Sequence, residues 1–398
     1  MRIGEPSSGA VASIVVTFFV VVRIEEPYSD RVVIGLSLAV GLDGLFGDPR
    51  SSIHPVAWFG GAMNSLERKL FRDSRCLGAA YFVVGVCLAW IATYILKFAL
   101  FTLASVIGLN RKLGSRLAER VIGIALTALA GYLSLSGNSL RKIARSIEDK
   151  LAGSNGDMLA GSNEDKLAGP NHDMLAGNDL EGARAQLRSL VGRNSAELSV
   201  SEVARATIES LAENSVDATV APLFWGALYG APGFMIYRAI NTMDAMVGYS
   251  NIRYRKFGWA SARADDVANW LPARISYLIV KSLAGDSEVR ERISKIARTQ
   301  SRDHPSPNGG LIEGAFAGAL GITLGGTTIY PHGVEERPIL GFGPAGQVRD
   351  IALAIKLSRQ LQQRALVLCM SIGIFARLFV YIYKYCGQAS SRIGQSNL

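Results

Sequence analysis

Four stretches of this chain carry no charged side chain over about the length that a helix needs to cross a bilayer. They are 76–96, 121–140, 218–237 and 314–334. A membrane-spanning helix needs about 20 consecutive apolar residues, so four such stretches favour a membrane protein over a soluble fold. The composition agrees, because the mean hydropathy is +0.23 and only 19% of the 398 residues are charged.

Four further apolar stretches are shorter or contain charges: 6–22, 32–46, 267–283 and 365–383. Arg274 and Lys281 lie in the third of them, and Arg377 lies in the fourth. We predict that these stretches form tilted, re-entrant or interfacial helices. The first stretch fits either a signal peptide or a retained membrane segment. The second interpretation is favoured, because no clear small-residue cleavage site follows Val22.

Basic side chains gather in two clusters between the apolar stretches, and the formal net charge is +9. The clusters are Arg68, Lys69, Arg72 and Arg75, then Arg111, Lys112, Arg116 and Arg120. Basic loops favour the cytoplasmic side of a membrane, but a single helix over 76–108 would place the two clusters on opposite sides. The topology therefore stays open. Nucleic-acid binding is disfavoured, because the sequence has no zinc-finger spacing, aromatic RNA-binding motif or basic helix.

An eight-residue repeat occupies 149–180. Its units read DKLAGSNG, DMLAGSNE, DKLAGPNH and DMLAGNDL. Eight residues rotate a helix by about 80° beyond two full turns, and a glycine in every unit disfavours a long helix. The spacing fits neither an EF-hand loop nor the nine-residue calcium repeat. We therefore predict an exposed insert without a catalytic role.

Three acidic residues, Glu209, Glu213 and Asp217, follow one another at steps of four just before the third long apolar stretch. On a helix each step of four residues rotates by about 40°, so the three carboxylates share one narrow face. Two interpretations stay open. Arg205 lies four residues before Glu209 and fits a solvated face with an ion pair. The alternative is a functional carboxylate site at the mouth of the apolar segment.

The stretch 237–270 interleaves acidic and basic side chains next to an apolar segment. Tyr237, Asn241, Asp244 and Gly248 fall on one helical face. They are followed by three basic and two acidic residues, Arg253, Arg255, Lys256, Asp265 and Asp266. Carboxylates bind Mg²⁺ through oxygen and nearby cations hold phosphate oxygens, so the pattern suits a metal-nucleotide or a phosphorylated substrate. A loop of ordinary ion pairs is the alternative.

A rigid polar turn precedes the fourth apolar stretch. It contains His304, Ser306 and Asn308, and Glu313 lies at the entrance to the next predicted helix. Close packing of that helix is predicted from three glycines at four-residue spacing, Gly310, Gly314 and Gly318.

A second polar turn, at the end of the stretch 32–46, contains Asp43, Asp48 and His54. An acidic residue inside the end of an apolar segment is costly unless it is paired or solvated. Asp43 is therefore a candidate site residue.

Two common nucleotide-binding motifs do not explain this chain. No Walker A sequence is present. The stretch GFGPAG at 341–346 matches a dinucleotide-binding pattern, but it lacks the required strand-helix-strand context and an acidic residue about 20 positions later. We predict a glycine-rich connection that leads into a helix.

Four of these motifs, in this order, resemble the CobD/CbiB family of cobalamin biosynthesis. They are LDGLFGDPRSSIHPVAWFG, ESLAENSVDATVAPLFW, YRAINTMDAMVGYSNIRYRKFGWASARADDVANWLPAR and SPNGGLIEGAFAGALGITLGG. The resemblance covers about 42–360 within a single membrane domain of residues 1–398. The extended N-terminus, the octapeptide insert and a compressed RDHPSPN stretch depart from the family pattern, and the last departure weakens the assignment of His304.

The resemblance implies an all-α, polytopic integral membrane protein of the cell membrane with a largely helical soluble loop region. It implies an adenosylcobinamide-phosphate synthase, which uses ATP and Mg²⁺ to join adenosylcobyric acid to (R)-1-amino-2-propanol or its O-phosphate through an amide. The implied partners are these substrates, the lipid bilayer and other late corrinoid-assembly enzymes. A transporter or membrane scaffold with intramembrane acids is the alternative, although here the acids collect at segment ends and not near a midplane.

The resemblance also implies roles for particular residues. The acidic motif would hold Mg²⁺ or orient the amine, and its residues are Glu209, Glu213, Asn214 and Asp217. Substrate contacts are implied for Asp43, His54, Arg253, Arg255, Lys256, His304, Ser306, Asn308 and Glu313. Further metal or nucleotide contacts are implied for Asp244, Asp265 and Asp266.

Overall fold

A computed structural model describes residues 30–49, 54–152, 179–190, 195–249, 251–330 and 333–395. Most of these residues are helical, as the sequence predicted. The chain divides into two compact units. The first comprises Met1–Ser136, Asp217–Pro272 and Gln363–Leu398, and the second comprises Gly137–Val216 and Ala273–Gln362. The predicted N-terminal membrane segment at 6–22 lies outside the described residues.

The described elements follow one another along the chain in a fixed order. They are α1 Asp30–Phe46, α2 Pro55–Leu70, α3 Arg75–Val106, α4 Leu109–Leu113, α5 Ser115–Ser134, α6 Gly137–Ala152, α7 Leu180–Leu187, α8 Val200–Ser215, a π-helix Val216–Val220, α9 Ala221–Val247, α10 Trp259–Leu283, α11 Ser287–Thr299, a 3₁₀ turn Ser301–Asp303, α12 Gly309–Leu320, β1 Leu324–Tyr330, β2 Gly333–Leu340 and α13 Val348–Gln395.

Three of the four long apolar stretches form helices that are long and apolar enough to cross a membrane. They lie within Arg75–Val106, Ser115–Ala152 and Val200–Val247. Large apolar side chains remain exposed along α3, among them Leu88, Ile91, Ile95, Phe98 and Phe101. Such a broad exposed apolar face is typical of a surface that another apolar phase covers.

The basic clusters lie at the two ends of α3. This helix is continuous over 32 residues, so it is about 48 Å long at a rise of 1.5 Å per residue. Arg75 begins the helix, and Arg111 follows its end at Val106. A single helix therefore separates the two clusters. If this helix crosses the membrane, the clusters lie on opposite sides of it, so the basic residues do not fix the topology.

The fourth apolar stretch, 314–334, is not a membrane helix, so this prediction was wrong. α12 ends at Leu320, where Gly321 adopts φ +71° and terminates the helix in a left-handed conformation. The chain then enters the antiparallel pair β1 and β2. Thr327, Thr328 and Ile329 are β-branched residues, which favour a strand over a helix.

The glycines of α12 pack closely, which confirms the prediction from their spacing. A Cβ atom added at Gly314 would lie 2.6 Å from Ser301 Oγ, and one at Gly318 would lie 2.9 Å from Ile293 Cα. At Gly310 the added atom would lie 2.4 Å from His304 Cβ. The absence of a side chain at these positions lets α12 approach α11 and the polar turn.

The ends of the octapeptide insert meet at one place in the second unit. α6 continues to Ala152, so the first residues of the repeat are helical and Leu151 is buried. The Lys150 carbonyl accepts a hydrogen bond from the Asp179 N–H at 3.0 Å, and Lys150 Nζ lies 2.6 Å from Asp179 Oδ2. Residues 153–178 lie outside the described residues. The insert therefore leaves and rejoins the unit at adjacent points.

Deleting residues 153–178 is expected to change the free energy of unfolding by less than about 1 kcal/mol, because the entropic cost of closing a chain segment changes slowly with its length. The measurement is thermal unfolding of the purified protein in detergent. Deleting 149–180 is the matched comparison, and it should destabilise the protein more because it removes buried Leu151 and the Lys150–Asp179 pair. Equal losses from the two deletions would contradict the prediction.

Candidate functional site

The acidic residues of α8 lie inside the second unit. α8 begins with a capping box in which Ser199 Oγ accepts the Glu202 N–H and the Glu202 carboxylate accepts the Ser199 N–H. Glu209 is only 2% exposed and Glu213 is half-buried. The interpretation as a solvated face is therefore wrong for Glu209.

Glu209 and Arg205 together hold the start of β1. Glu209 Oε1 accepts a hydrogen bond from the Gly325 N–H at 2.9 Å. The Arg205 guanidinium donates to the Gly325 carbonyl and, at 2.9 Å, to the Thr327 carbonyl. Arg205 Nε also lies 3.8 Å from Glu209 Oε1. The predicted ion pair is present, but it lies against a strand and not in solvent.

His304, Glu313 and Arg337 meet in the interior of the second unit. His304 Nε2 lies 3.8 Å from Glu313 Oε1, and Arg337 Nη1 lies 3.9 Å from the same oxygen. His304 Nδ1 lies 2.9 Å from the Ser306 carbonyl oxygen and 3.1 Å from the Ser306 nitrogen, so it donates to the carbonyl in one tautomer and accepts the N–H in the other. Among the described residues, none makes a hydrogen bond to His304 Nε2.

Burial lowers the pKa of His304 below its ordinary value, and the nearby Arg337 lowers this pKa further. The contact with Ser306 and the charges of Glu213 and Glu209 act in the opposite direction. The imidazole is therefore neutral near pH 7 and can accept a proton there.

The predicted polar turn is built by local hydrogen bonds. Ser306 Oγ accepts the Gly309 N–H at 3.0 Å, and Asn308 Oδ1 accepts a bond from Arg274 Nη1 at 2.6 Å. Glu213 Oε1 lies beside the turn, because a Cβ atom added at Gly309 would be 3.4 Å from it. The turn and the carboxylate thus bring hydroxyl, amide and acidic groups together.

Asn214 and Asp217 are the other two residues of the predicted acidic motif. Asn214 Nδ2 donates to the carbonyl oxygen of Ser210 at 2.9 Å and to its hydroxyl at 3.0 Å, within its own helix. Asp217 lies in the π-helix, whose wider turn changes the rotation between residues, and it belongs to the first unit. The predicted catalytic residues are therefore divided between the two units.

A polar chain links α9 to α10 in the first unit. Tyr237 Oη donates to Asn269 Oδ1 at 2.9 Å, and Asn269 Nδ2 donates to Asp265 Oδ2 at 3.0 Å. Asn241 Nδ2 lies 3.4 Å from Asp265 Oδ1. The structure thus brings predicted Asp265 together with Asn269, which the sequence did not single out although it lies four residues later on the same helix.

Asp43 and His54 also lie in the first unit. Asp43 is 1% exposed within the last turn of α1. His54 Nδ1 accepts the Val56 N–H at 3.1 Å and caps α2. Burial lowers the pKa of His54, while Asp48 raises it and Arg238 lowers it. His54 therefore has a structural role as a helix cap, and its predicted substrate contact stays a prediction.

The three predicted metal residues do not form a ready-made ion site. Asp266 Oδ2 lies 3.5 Å from Arg263, and Asp244 Oδ1 lies against Gly248, where an added Cβ atom would be 1.8 Å away. Across the described residues, no three His, Cys, Asp or Glu side chains are grouped so that they could hold a metal ion. Mg²⁺ needs only one or two carboxylates when a ligand supplies phosphate oxygens. A protein-only magnesium cage does not fit these residues.

Two of the three predicted phosphate contacts are engaged with acidic residues of the first unit. Arg253 Nη2 lies 3.3 Å from Glu67 Oε1, which also accepts the Tyr254 hydroxyl at 2.8 Å. Lys256 Nζ lies 2.8 Å from Asp73 Oδ2. The third, Arg255, is exposed. These contacts anchor the segment 251–258, and a phosphate role for its basic residues stays a prediction.

Replacing Glu67 with Ala is expected to lower the free energy of unfolding by about 1 to 3 kcal/mol, because the Tyr254 hydroxyl loses its buried acceptor. Chemical denaturation in detergent would measure this change. Glu197→Ala is the control, since Glu197 is exposed and its loss should shift stability by no more than about 0.5 kcal/mol. Equal stability of the two variants would show that Glu67 is no anchor.

The chain is a helical protein with candidate membrane spans. It has buried ionisable groups around Glu313 in the second unit and around Tyr237 in the first. The model of the family described as CobD/Cbib protein matches residues 36–162 and 157–358. The chain belongs to this CobD/CbiB family.

Similar proteins named Cobalamin biosynthesis protein CobD occur in several bacteria. The one from Mycobacterium tuberculosis is 39% identical over 342 residues, which cover 85% of this chain and 95% of the relative. The one from Geobacter metallireducens is 38% identical over 76% of this chain and 84% of the relative. The one from Rhodobacter capsulatus is 46% identical over 46% of this chain and 57% of the relative. No solved structure matches the chain significantly.

Proposed function

We propose that this protein is a membrane-bound ligase of cobalamin biosynthesis, which joins adenosylcobyric acid to (R)-1-amino-2-propanol or its O-phosphate in an ATP-dependent reaction. Family membership and the names of the relatives support the pathway. The observation that carries the chemistry is the group formed by half-buried Glu213 with buried His304 and Glu313 beside the polar turn. It offers acidic groups for a substrate ammonium and a neutral imidazole for its proton.

The reaction needs an activated acyl group, because oxide is a poor leaving group at neutral pH. Transfer of the γ-phosphoryl group of ATP to the substrate carboxylate gives an acyl phosphate and ADP. The amine then forms the C–N bond, the C–O bond to phosphate breaks, and phosphate leaves with its electron pair. Mg²⁺ bound with ATP would neutralise phosphate charge.

The residues of the second unit have defined roles in this proposal. The half-buried Glu213 carboxylate binds the substrate ammonium group beside Gly309. The role of His304 uses the tautomer in which Nδ1 carries the proton and donates it to the Ser306 carbonyl. In that tautomer Nε2 accepts the proton that the attacking amine loses. Glu313 stabilises the resulting imidazolium, since its Oε1 lies 3.8 Å from Nε2.

A location in the cell membrane, with several crossings, is part of the same proposal. The three long apolar helices and the exposed apolar face of α3 support it. Adenosylcobyric acid, the aminopropanol and the lipid bilayer are the partners that follow from it.

The test is incubation of detergent-purified protein with adenosylcobyric acid, ATP, Mg²⁺ and each of the two amines. We expect a new amide product by mass spectrometry, with one ADP formed per amide. Omission of ATP is the control. If neither amine yields product while the protein is folded, the ligase proposal fails and a transporter or scaffold becomes the better interpretation.

A further inference from the structure

The hairpin of β1 and β2 connects the Arg205–Glu209 pair to the interior cluster. In its register Gly326 lies opposite Arg337, and an irregularity separates Leu324 from Gly326. Gly325 and Gly326 have φ values of +85° and +88°. Residues with side chains rarely adopt this conformation, so the irregularity depends on these glycines.

Side chains of α8 hold this irregular segment of β1 in place. Gly325 gives its N–H to Glu209 and its carbonyl to Arg205, and Arg205 also reaches the Thr327 carbonyl. Both backbone groups of Gly325 are therefore fixed by one pair of side chains. On the side of β2, a Cβ atom added at Gly325 would lie 2.1 Å from the Pro338 carbonyl oxygen. The position of β2 thus depends on the position of this segment.

Arg337 extends from β2 to the cluster of His304 and Glu313, so its position depends on that of β2. Its side chain is 19% exposed, and its Nη1 lies 3.9 Å from Glu313 Oε1. Glu313 is 1% exposed. An ionised carboxylate at such a depth requires a nearby cation, and the Arg337 guanidinium supplies it. A shift of β2 would withdraw this cation from Glu313 and from the neighbouring His304.

We propose that Arg205 and Glu209 are positioning residues, which act through the β1–β2 hairpin to hold Arg337 against Glu313 and His304. This inference rests on the proposed ligase function for its kinetic test. It assigns a role to Arg337 and separates Glu209, which binds backbone, from Glu213, which binds substrate. At 2% exposure the Glu209 carboxylate lies out of reach of a ligand from solvent.

The kinetic test is a double-mutant cycle with Glu209→Ala, Arg337→Ala and the double variant. We expect each single variant to lose about 100-fold in kcat/KM, because small displacements of catalytic groups have effects of this size. The double variant should be no worse than Arg337→Ala, since Glu209 acts through Arg337. Losses that multiply in the double variant would overturn the proposal.

Conservative variants separate positioning from direct participation. Glu209→Gln keeps a side-chain oxygen that can accept the Gly325 N–H, so it should recover much of the activity that Glu209→Ala loses. Arg337→Lys keeps the charge and should recover part of the loss of Arg337→Ala. If Glu209→Gln is as inactive as Glu209→Ala, the charge itself is required and the positioning role is wrong.

Amide hydrogen exchange tests the contact without any enzymatic assay. Exchange of the Gly325 N–H should accelerate in Glu209→Ala, which removes its acceptor. Arg205→Lys, which disturbs the contacts to the Gly325 and Thr327 carbonyls, replaces this variant if it does not fold. The control Glu197→Ala alters an exposed residue and should leave exchange unchanged. Unchanged exchange in a folded Arg205 or Glu209 variant would show that these two side chains do not hold the Gly325 segment. This result would stand even if the protein proves to have another activity.

Discussion

Replacing Glu213 with Gln is expected to reduce amide formation by at least about 100-fold while the protein remains folded, because the substitution keeps the shape but removes the charge that pairs with the substrate. A substrate ammonium beside Gly309 loses its ionic partner in this variant. The Mg²⁺ role implied for the acidic motif predicts a loss as well, since a hard cation requires an anionic oxygen. Product formation across titrations of amine and of Mg²⁺ measures the effect and distinguishes the two causes.

A higher amine KM at unchanged Mg²⁺ dependence would support ammonium binding, whereas a shifted Mg²⁺ dependence would favour the metal role. Glu197→Gln is the matched control, because it neutralises an exposed acid of the same unit. If Glu213→Gln retains the activity and Mg²⁺ dependence of wild type, Glu213 has neither role. Glu213 would then be a half-buried acid without part in the reaction.

The sequence predicted the helices well where local pattern decides the structure. Uniformly apolar stretches gave the three candidate membrane helices, and the spacing of Gly310, Gly314 and Gly318 gave the packing of α12. The prediction of a membrane helix over 314–334 was wrong because a lack of charged residues does not distinguish a helix from a strand. The ending of α12 depends on Gly321, and the strand depends on pairing with Gly333–Leu340, which a search for uncharged stretches does not detect.

The sequence predicted the ionisable residues of the candidate site, but it did not predict the groups that these residues contact. Glu209, Glu213, His304 and Glu313 stood out by residue type and spacing. The hydrogen-bond donor to Glu209 is the Gly325 N–H, which lies 116 positions away in the sequence. Arg337 was missed because it stands in no motif, and only its place in a strand opposite Gly326 brings it to Glu313.

Replacing Gly314 with Leu is expected to lower the free energy of unfolding by about 3 kcal/mol or more, or to prevent folding, since overpacking at a tight contact has costs of this order. The added Cβ alone would lie 2.6 Å from Ser301 Oγ and 2.9 Å from Ile296 Cγ2. The larger Leu side chain would have to separate α12 from α11. Because Ser301 begins the turn that leads to His304, activity should fall together with folding.

Gly41→Leu is the matched control for this substitution, because an added Cβ atom at Gly41 in α1 would meet nothing within 4 Å. Leu favours a helix over Gly by somewhat less than about 1 kcal/mol, so this control should be as stable as wild type or slightly more stable. Denaturant unfolding and the yield of inserted protein, measured for both variants, compare the effects. A Gly314→Leu protein with wild-type stability and a selective loss of turnover would contradict the packing role. In that case Gly314 would act at the reaction centre, and the contact between α12 and Ser301 would tolerate a side chain.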